Sequence, residues 1–144
     1  MESTLHKPAL VAGQVIPQSI TILFWIFTAL FCLEMSFTAW YELLGQGAQA
    51  FARLGFPSGT FRVELSLAKV AGVAALLIPM IPARLKEWAY AGFAINLVSA
   101  VIAHLSIGDR LLAFVPSTLT SVLWMVSYFS WRRTQTARAH QSMQ

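Results

Sequence analysis

Charge is what this sequence has least of. Only 11% of its 144 residues are Asp, Glu, Lys or Arg, against about 25% in an average soluble domain. Ten basic and six acidic side chains are too few to clothe a water-soluble globule of this size. Cysteine is almost missing too: Cys32 stands alone, which excludes a disulfide scaffold. Low-complexity tracts and internal repeats are absent, and 57% hydrophobic residues exclude a disordered chain. The short signatures of metal and phosphate chemistry are lacking as well. The apolar runs hold one histidine, with no paired cysteines, no HExxH and no second histidine for haem. No glycine loop that cradles phosphate and no nucleophile elbow occurs. Neither a cofactor nor a metal site is therefore expected.

What is present is apolar length. A membrane-crossing helix needs about 20 mostly apolar residues to cover roughly 30 Å of hydrocarbon. Four stretches qualify, at 19–44, 61–81, 86–107 and 111–131. The expected architecture is all-α: an integral membrane four-helix bundle over 19–131, with a short outer amphipathic segment between its first two helices. Residues 1–18 form a cytoplasmic leader to it and 132–144 a polar, frayed cytoplasmic tail. The second stretch is the weakest, since Arg62, Glu64 and Lys69 occupy its first half. The first stretch is longer than the apolar core of a signal peptide and is interrupted by Glu34, so it reads as a retained span.

Lysine and arginine in short loops set the orientation. Lys7, Arg84, Lys86, Arg132, Arg133 and Arg138 fall on one side, and Arg53, Arg62 and Arg110 on the other. Both termini are thus expected in the cytoplasm, in the cytoplasmic membrane of a bacterium. The net charge of +4 and pI near 9.7 then point to lipid headgroups as partner and not to nucleic acid. Trp40 and Tyr41 suit an outer aromatic belt, and Trp88, Tyr90, Tyr128 and Trp131 an inner one. Pro79 and Pro82 mark a tight inner turn, Gly108-Asp109 a short outer one, and residues 45–60 a short surface helix followed by a bend at Pro57.

Small residues at helical spacing allow helices in lipid to approach closely. Ala68, Gly72 and Ala75 form such a stripe on the second span, and Gly92, Asn96, Ala100 and His104 on the third. Pro116 reads as a kink in the fourth. Cys32, among phenylalanines and leucines, reads as inert packing. Glu87 caps the third span, with Arg84 as its partner.

Ionisable groups inside an apolar run are expensive and mark either architecture or function. At 1.5 Å rise per residue, Glu34, Glu64, Lys69 and His104 all fall in the outer half of the membrane, with Asn96 nearer the middle. Thr120 and Ser121 lie at similar depth, and Tyr41 at the outer edge. Architecturally, Lys69 snorkels outward or pairs with Glu34, Glu64 is interfacial, and His104 is a hydrogen-bonded packing residue. Functionally, Glu34, Glu64, Lys69 and His104 form one acid–base site, with Asn96, Thr120, Ser121 and Tyr41 binding substrate. A cavity opening toward lipid would take a lipophilic molecule with a polar head, such as a quinone, isoprenoid or sterol.

From Leu54 to Asp109 the strings LGFP, LAKVAGVAALLIPMIP, RLKEWAYAGF and SAVIAHLSIGD resemble the DoxX-like family of small membrane proteins. The resemblance covers about 34–128 and is strongest at Lys69, Gly72, Leu76, Leu77, Pro79, His104 and the run from Lys86 to Gly92. It implies a four-helix transmembrane bundle. The wider family takes its name from a subunit associated with a quinone-reducing oxidase, and other members resemble membrane chaperones or assembly factors. Its first span usually lacks a clear acid, so Glu34 and Glu64 are individual to this chain. Three functions follow as expectations. One is a subunit that binds a lipophilic molecule and works with a membrane protein partner or as a homo-oligomer. The second is a stand-alone isomerase, cyclase or epoxide-opening enzyme, and the third an assembly factor.

Overall fold

The computed structural model of the chain describes residues 17–45, 47–55 and 59–141. Residues 1–16 of the expected N-terminal segment, the bend at Pro57 and the last residues of the tail lie outside them. Among the described residues the chain is helical throughout, without strands. The elements are α1 (Gln18–Leu43), α2 (Ala48–Arg53), α3 (Gly59–Leu77), α4 (Ala83–Ser106), a 3-10 turn (Leu111–Phe114) and α5 (Val115–Gln141).

The long helices close a ring in which α1 packs on α3 and α5, and α4 packs on the same two. On α1 the contact stripe is Phe24, Thr28, Phe31, Met35, Ala39 and Glu42, all buried. These recur at three- and four-residue steps, so one helical face is turned inward along the whole length. Between the stripes lies a core of Phe31, Leu76, Tyr90, Phe93 and Trp131. The α1–α2 connection, the α4–α5 connection and α2 gather at one end of the ring (the α2 end). The starts of α1 and α4 and the last turns of α5 meet at the other (the proline end).

The distribution of polarity is inverted relative to a soluble protein. Thr28, Glu42, Ser66, Lys69, Thr120 and Ser127 are buried, while Leu33, Phe37, Trp40, Ile95, Leu119 and Phe129 are each more than half exposed. A monomer in water does not present apolar surface around its whole girdle. Hydrocarbon tolerates it and drives polar groups to the interior. Three helical stretches among the described residues are long and apolar enough to cross a membrane: Gln18–Leu43, Ala83–Ser106 and Leu111–Ala139. The 19 residues of α3 rise about 28 Å, but Arg62, Glu64 and Lys69 set that helix apart from the other three.

Four expectations are corrected. The tail is not frayed at Trp131, because α5 continues to Gln141; Arg132 on its extension pairs with Glu87 on α4 at 2.7 Å. Glu87 therefore binds Arg132 in place of Arg84. Pro116 does not kink a helix but sits in the first turn of α5, where its missing N–H would be unpaired anyway. The inner aromatic belt reduces to Trp88, 76% exposed. Tyr90 and Trp131 are core residues instead, with Tyr128 packed against them, because the ring turns their faces inward, and the Tyr90 hydroxyl finds a partner in Ser127.

Candidate functional site

Polar side chains cross the ring at several levels. At the α2 end, Lys69 Nζ of α3 donates to Glu42 Oε1 of α1 at 2.5 Å, and Ser66 Oγ donates to Glu42 Oε2 at 3.0 Å. Both members of this ion pair are nearly enclosed. Eight residues back along α1, or about 12 Å, Thr120 of α5 donates to Glu34 Oε1 at 2.5 Å, while Glu34 Oε2 is buried without a partner. Deeper still, Ser127 Oγ lies 2.7 Å from both Thr28 Oγ1 and Tyr90 Oη. Trp124 Nε1 donates to the Tyr90 carbonyl at 3.0 Å. Each level joins helices that lack a hydrophobic drive toward one another in lipid, where packing and hydrogen bonds must supply the specificity.

His104 belongs to a separate cluster at the α2 end. Gly108, with φ +65°, takes the left-handed conformation that ends α4. Asp109 is thereby folded back, its N–H donating to the His104 carbonyl at 3.1 Å. Its carboxylate lies 2.7 Å from His104 Nδ1 and also pairs with Arg53 of α2. The Asp109 carboxylate is 7% exposed. This clasp fixes α2 across the end of the ring.

A groove of about 400 Å³ lies between α3 and α4. Small residues make it: Ala68, Gly72 and Ala75 face Ala89 and Gly92, with Phe93 as floor and Trp88 at the rim. Both stripes expected to pack together are present, but only one position is filled. A Cβ on Gly72 would meet the Phe93 ring at 2.8 Å, whereas a Cβ on Gly92 would meet nothing within 4 Å. Lys69 and Asn96 line the end of the groove nearer the α2 end. The amide of Asn96 has no partner among the described side chains, so it offers a free donor and acceptor beside apolar surface.

The expected site residues thus fall into separate settings. Lys69 and Asn96 share the groove, and Glu34 and Thr120 share a hydrogen bond between α1 and α5. His104 is held by Asp109. Glu64 is exposed on α3 and Tyr41 is 42% exposed beside Trp40. Ser121 donates to the Ser117 carbonyl of its own helix at 2.7 Å. Lys69 does pair with an acid of α1, but with Glu42 in place of Glu34. Glu42, Ser66 and Asp109 were not singled out from the sequence. Glu42 stands at a helix end and Asp109 in a turn, where a polar residue reads as ordinary solvent-facing surface, and Ser66 lies within α3, where a serine reads as one more small packing residue. No group of three or more His, Cys, Asp or Glu among the described residues is arranged to hold a metal ion.

No curated protein and no solved structure matches the chain. The family model described as the DoxX-like family matches residues 26–126, a stretch from the first third of α1 into α5 that takes in the groove, the Glu42–Lys69 pair and the His104 clasp. Together with the inverted polarity of the surface, that match makes the chain a membrane protein that belongs to the DoxX-like family.

Proposed function

We propose that this chain is a four-span membrane protein that binds a lipophilic small molecule, a quinone, isoprenoid or sterol-like compound, in the groove between α3 and α4. One observation carries the reading: a groove within the usual size range of ligand sites that holds an unpartnered Asn96 amide among apolar and small residues. An unpaired amide in hydrocarbon is costly, and a ligand carbonyl or hydroxyl would relieve that cost. The Lys69 ammonium is committed to Glu42, so what Lys69 lends the groove is its methylene stem. In this reading, quinone chemistry is carried out together with a membrane protein partner. The acid–base reading has weaker support, because its residues stand apart and Glu34, Lys69 and His104 are each engaged by another side chain.

The test uses the purified protein in lipid nanodiscs, titrated with a short-chain benzoquinone while the fluorescence of groove-lining Trp88 is followed. Gly92→Leu fills open space and is expected to weaken binding at least about tenfold with no loss of thermal stability. Asn96→Leu is expected to weaken it by roughly fivefold, the worth of one hydrogen bond. Wild-type affinity in Gly92→Leu would sink the reading. If Gly92→Leu instead loses capture of a partner helix, the groove is a helix-docking surface of the assembly-factor kind, and the small-molecule reading is wrong.

The four-span topology with both termini inside has its own test, in a Cys32→Ala background. A membrane-impermeant maleimide added to intact cells is expected to label Arg110→Cys. Arg84→Cys and Arg133→Cys should label only after permeabilisation. Labelling of all three in intact cells would rule that topology out.

A further inference from the structure

At the proline end a second, more enclosed pocket of about 220 Å³ lies between the start of α1, the turn before α4 and the last turns of α5. Its lining includes Thr21, Trp25, Lys86, Trp131, Gln135 and Arg138. Lys86 is only 8% exposed, and its Nζ makes a single hydrogen bond, to the Leu76 carbonyl at 3.2 Å. A buried ammonium ordinarily has a carboxylate beside it, and here there is none among the described residues. Among the described residues this end of the ring carries Arg84, Lys86, Arg132, Arg133 and Arg138 but one acid, Glu87, which Arg132 already occupies. Two further sources of positive potential converge on the pocket. It is bordered by Thr21 in the first turn of α1 and by Ala83 at the start of α4. Neither helix has a side-chain cap or an acid in its first turn, so the N–H groups and positive dipole ends at both starts lack an anionic partner.

From this convergence we infer that the pocket binds a phosphate-bearing anion, with Lys86 and Arg138 as its cationic ligands and Trp25 and Trp131 as an apolar wall for the remainder of the molecule. Arginine presents a fork suited to phosphate oxygens and lysine a point charge. Basic pockets between helices at the membrane surface suit lipid phosphate headgroups, and free phosphate offers the same chemistry. The pocket is distinct from the α3–α4 groove, and the inference does not depend on what the groove holds.

The experiment reconstitutes the full chain in phosphatidylcholine vesicles doped with brominated phosphatidylglycerol and reads quenching of tryptophan fluorescence. Arg138→Gln, on an exposed position that does not threaten folding, is expected to weaken the interaction by about tenfold, the effect of losing one charged contact. Arg133→Gln makes the same change of net charge on the same helix outside this pocket and is expected to leave binding unchanged. Lys86→Met should weaken binding at least as much, and the arginine pair decides the matter if that variant does not fold. Competition by inorganic phosphate would assign the site to the free anion, and retention of the lipid to a headgroup; both uphold the pocket. Equal losses in Arg138→Gln and Arg133→Gln, or no loss in either, would overturn it.

Discussion

Replacing Lys69 by methionine is expected to destabilise the bundle by about 3–5 kcal/mol. The cost comes less from the lost attraction than from what remains. Glu42 is 8% exposed, and without the ammonium its carboxylate keeps only the Ser66 hydroxyl. Glu42→Gln should cost less, because the amide oxygen still accepts from Lys69 while its NH2 group can donate to Ser66, whose own hydroxyl can donate to the Arg62 carbonyl. The informative variant is the double one, Glu42→Gln with Lys69→Met. Removing both charges eliminates the uncompensated ion, and such replacements in protein interiors are often close to neutral. The double variant should therefore be markedly more stable than Lys69→Met alone. Reversible unfolding in mixed micelles, followed by circular dichroism, gives the cycle directly. Strictly additive losses would show that the two side chains are not coupled.

Tyr90→Ala is expected to cost about 2–4 kcal/mol. In lipid the separated helices remain in an apolar solvent, so the transfer of the ring from water contributes little. What persists is the void: roughly 100 Å³ at about 24 cal/mol per Å³ gives about 2.4 kcal/mol. Edge contacts of Tyr90 with Trp124 and Tyr128, centroids 6.4 and 5.3 Å away, add about 1 kcal/mol. Tyr90→Phe keeps the ring and loses only the bond to Ser127, which retains Thr28; it should cost about 1 kcal/mol. The same unfolding assay separates the two. Equal losses would mean that the hydroxyl chain, and not aromatic packing, joins α4 to α5.

Helix positions were legible in the sequence because hydropathy reports length, and length is what crossing hydrocarbon demands. The four runs and the helices α1, α3, α4 and α5 differ by only a few residues at most ends. The exception is the last, where residues 134–141 are mostly polar, with Ala137 and Ala139 among them, but good enough helix formers to continue α5 once Arg132 is anchored to Glu87. Partner identity was less legible. That Lys69 would meet an acid of α1 follows from adjacency, but choosing Glu42 over Glu34 depends on the offset between antiparallel helices, which no single-helix pattern contains. Rotation about the helix axis is hidden in the same way. Gly72 and Gly92 look alike as small residues, yet Phe93 fills the space beside one and nothing fills the space beside the other. His104 was visible as an unusual residue, whereas Asp109 looked like any turn aspartate until Gly108 folded it back.

The polar first half of α3 also has a consequence for the bilayer itself. In the proposed four-span topology, Lys69 is turned inward to Glu42, so beyond the exposed Glu64 that helix offers lipid only residues 65–77, about 20 Å of apolar rise, where hydrocarbon is about 30 Å thick. The leaflet beside Glu64 must thin or admit water to meet it, while the flank formed by the 26 residues of α1 imposes no such compression. The protein therefore acts as a lopsided wedge in the membrane. Elastic energy stored in compressed lipid is reduced when two such flanks share it, so in that topology the membrane's own stiffness would favour two copies meeting along α3, before any side chain of one touches the other.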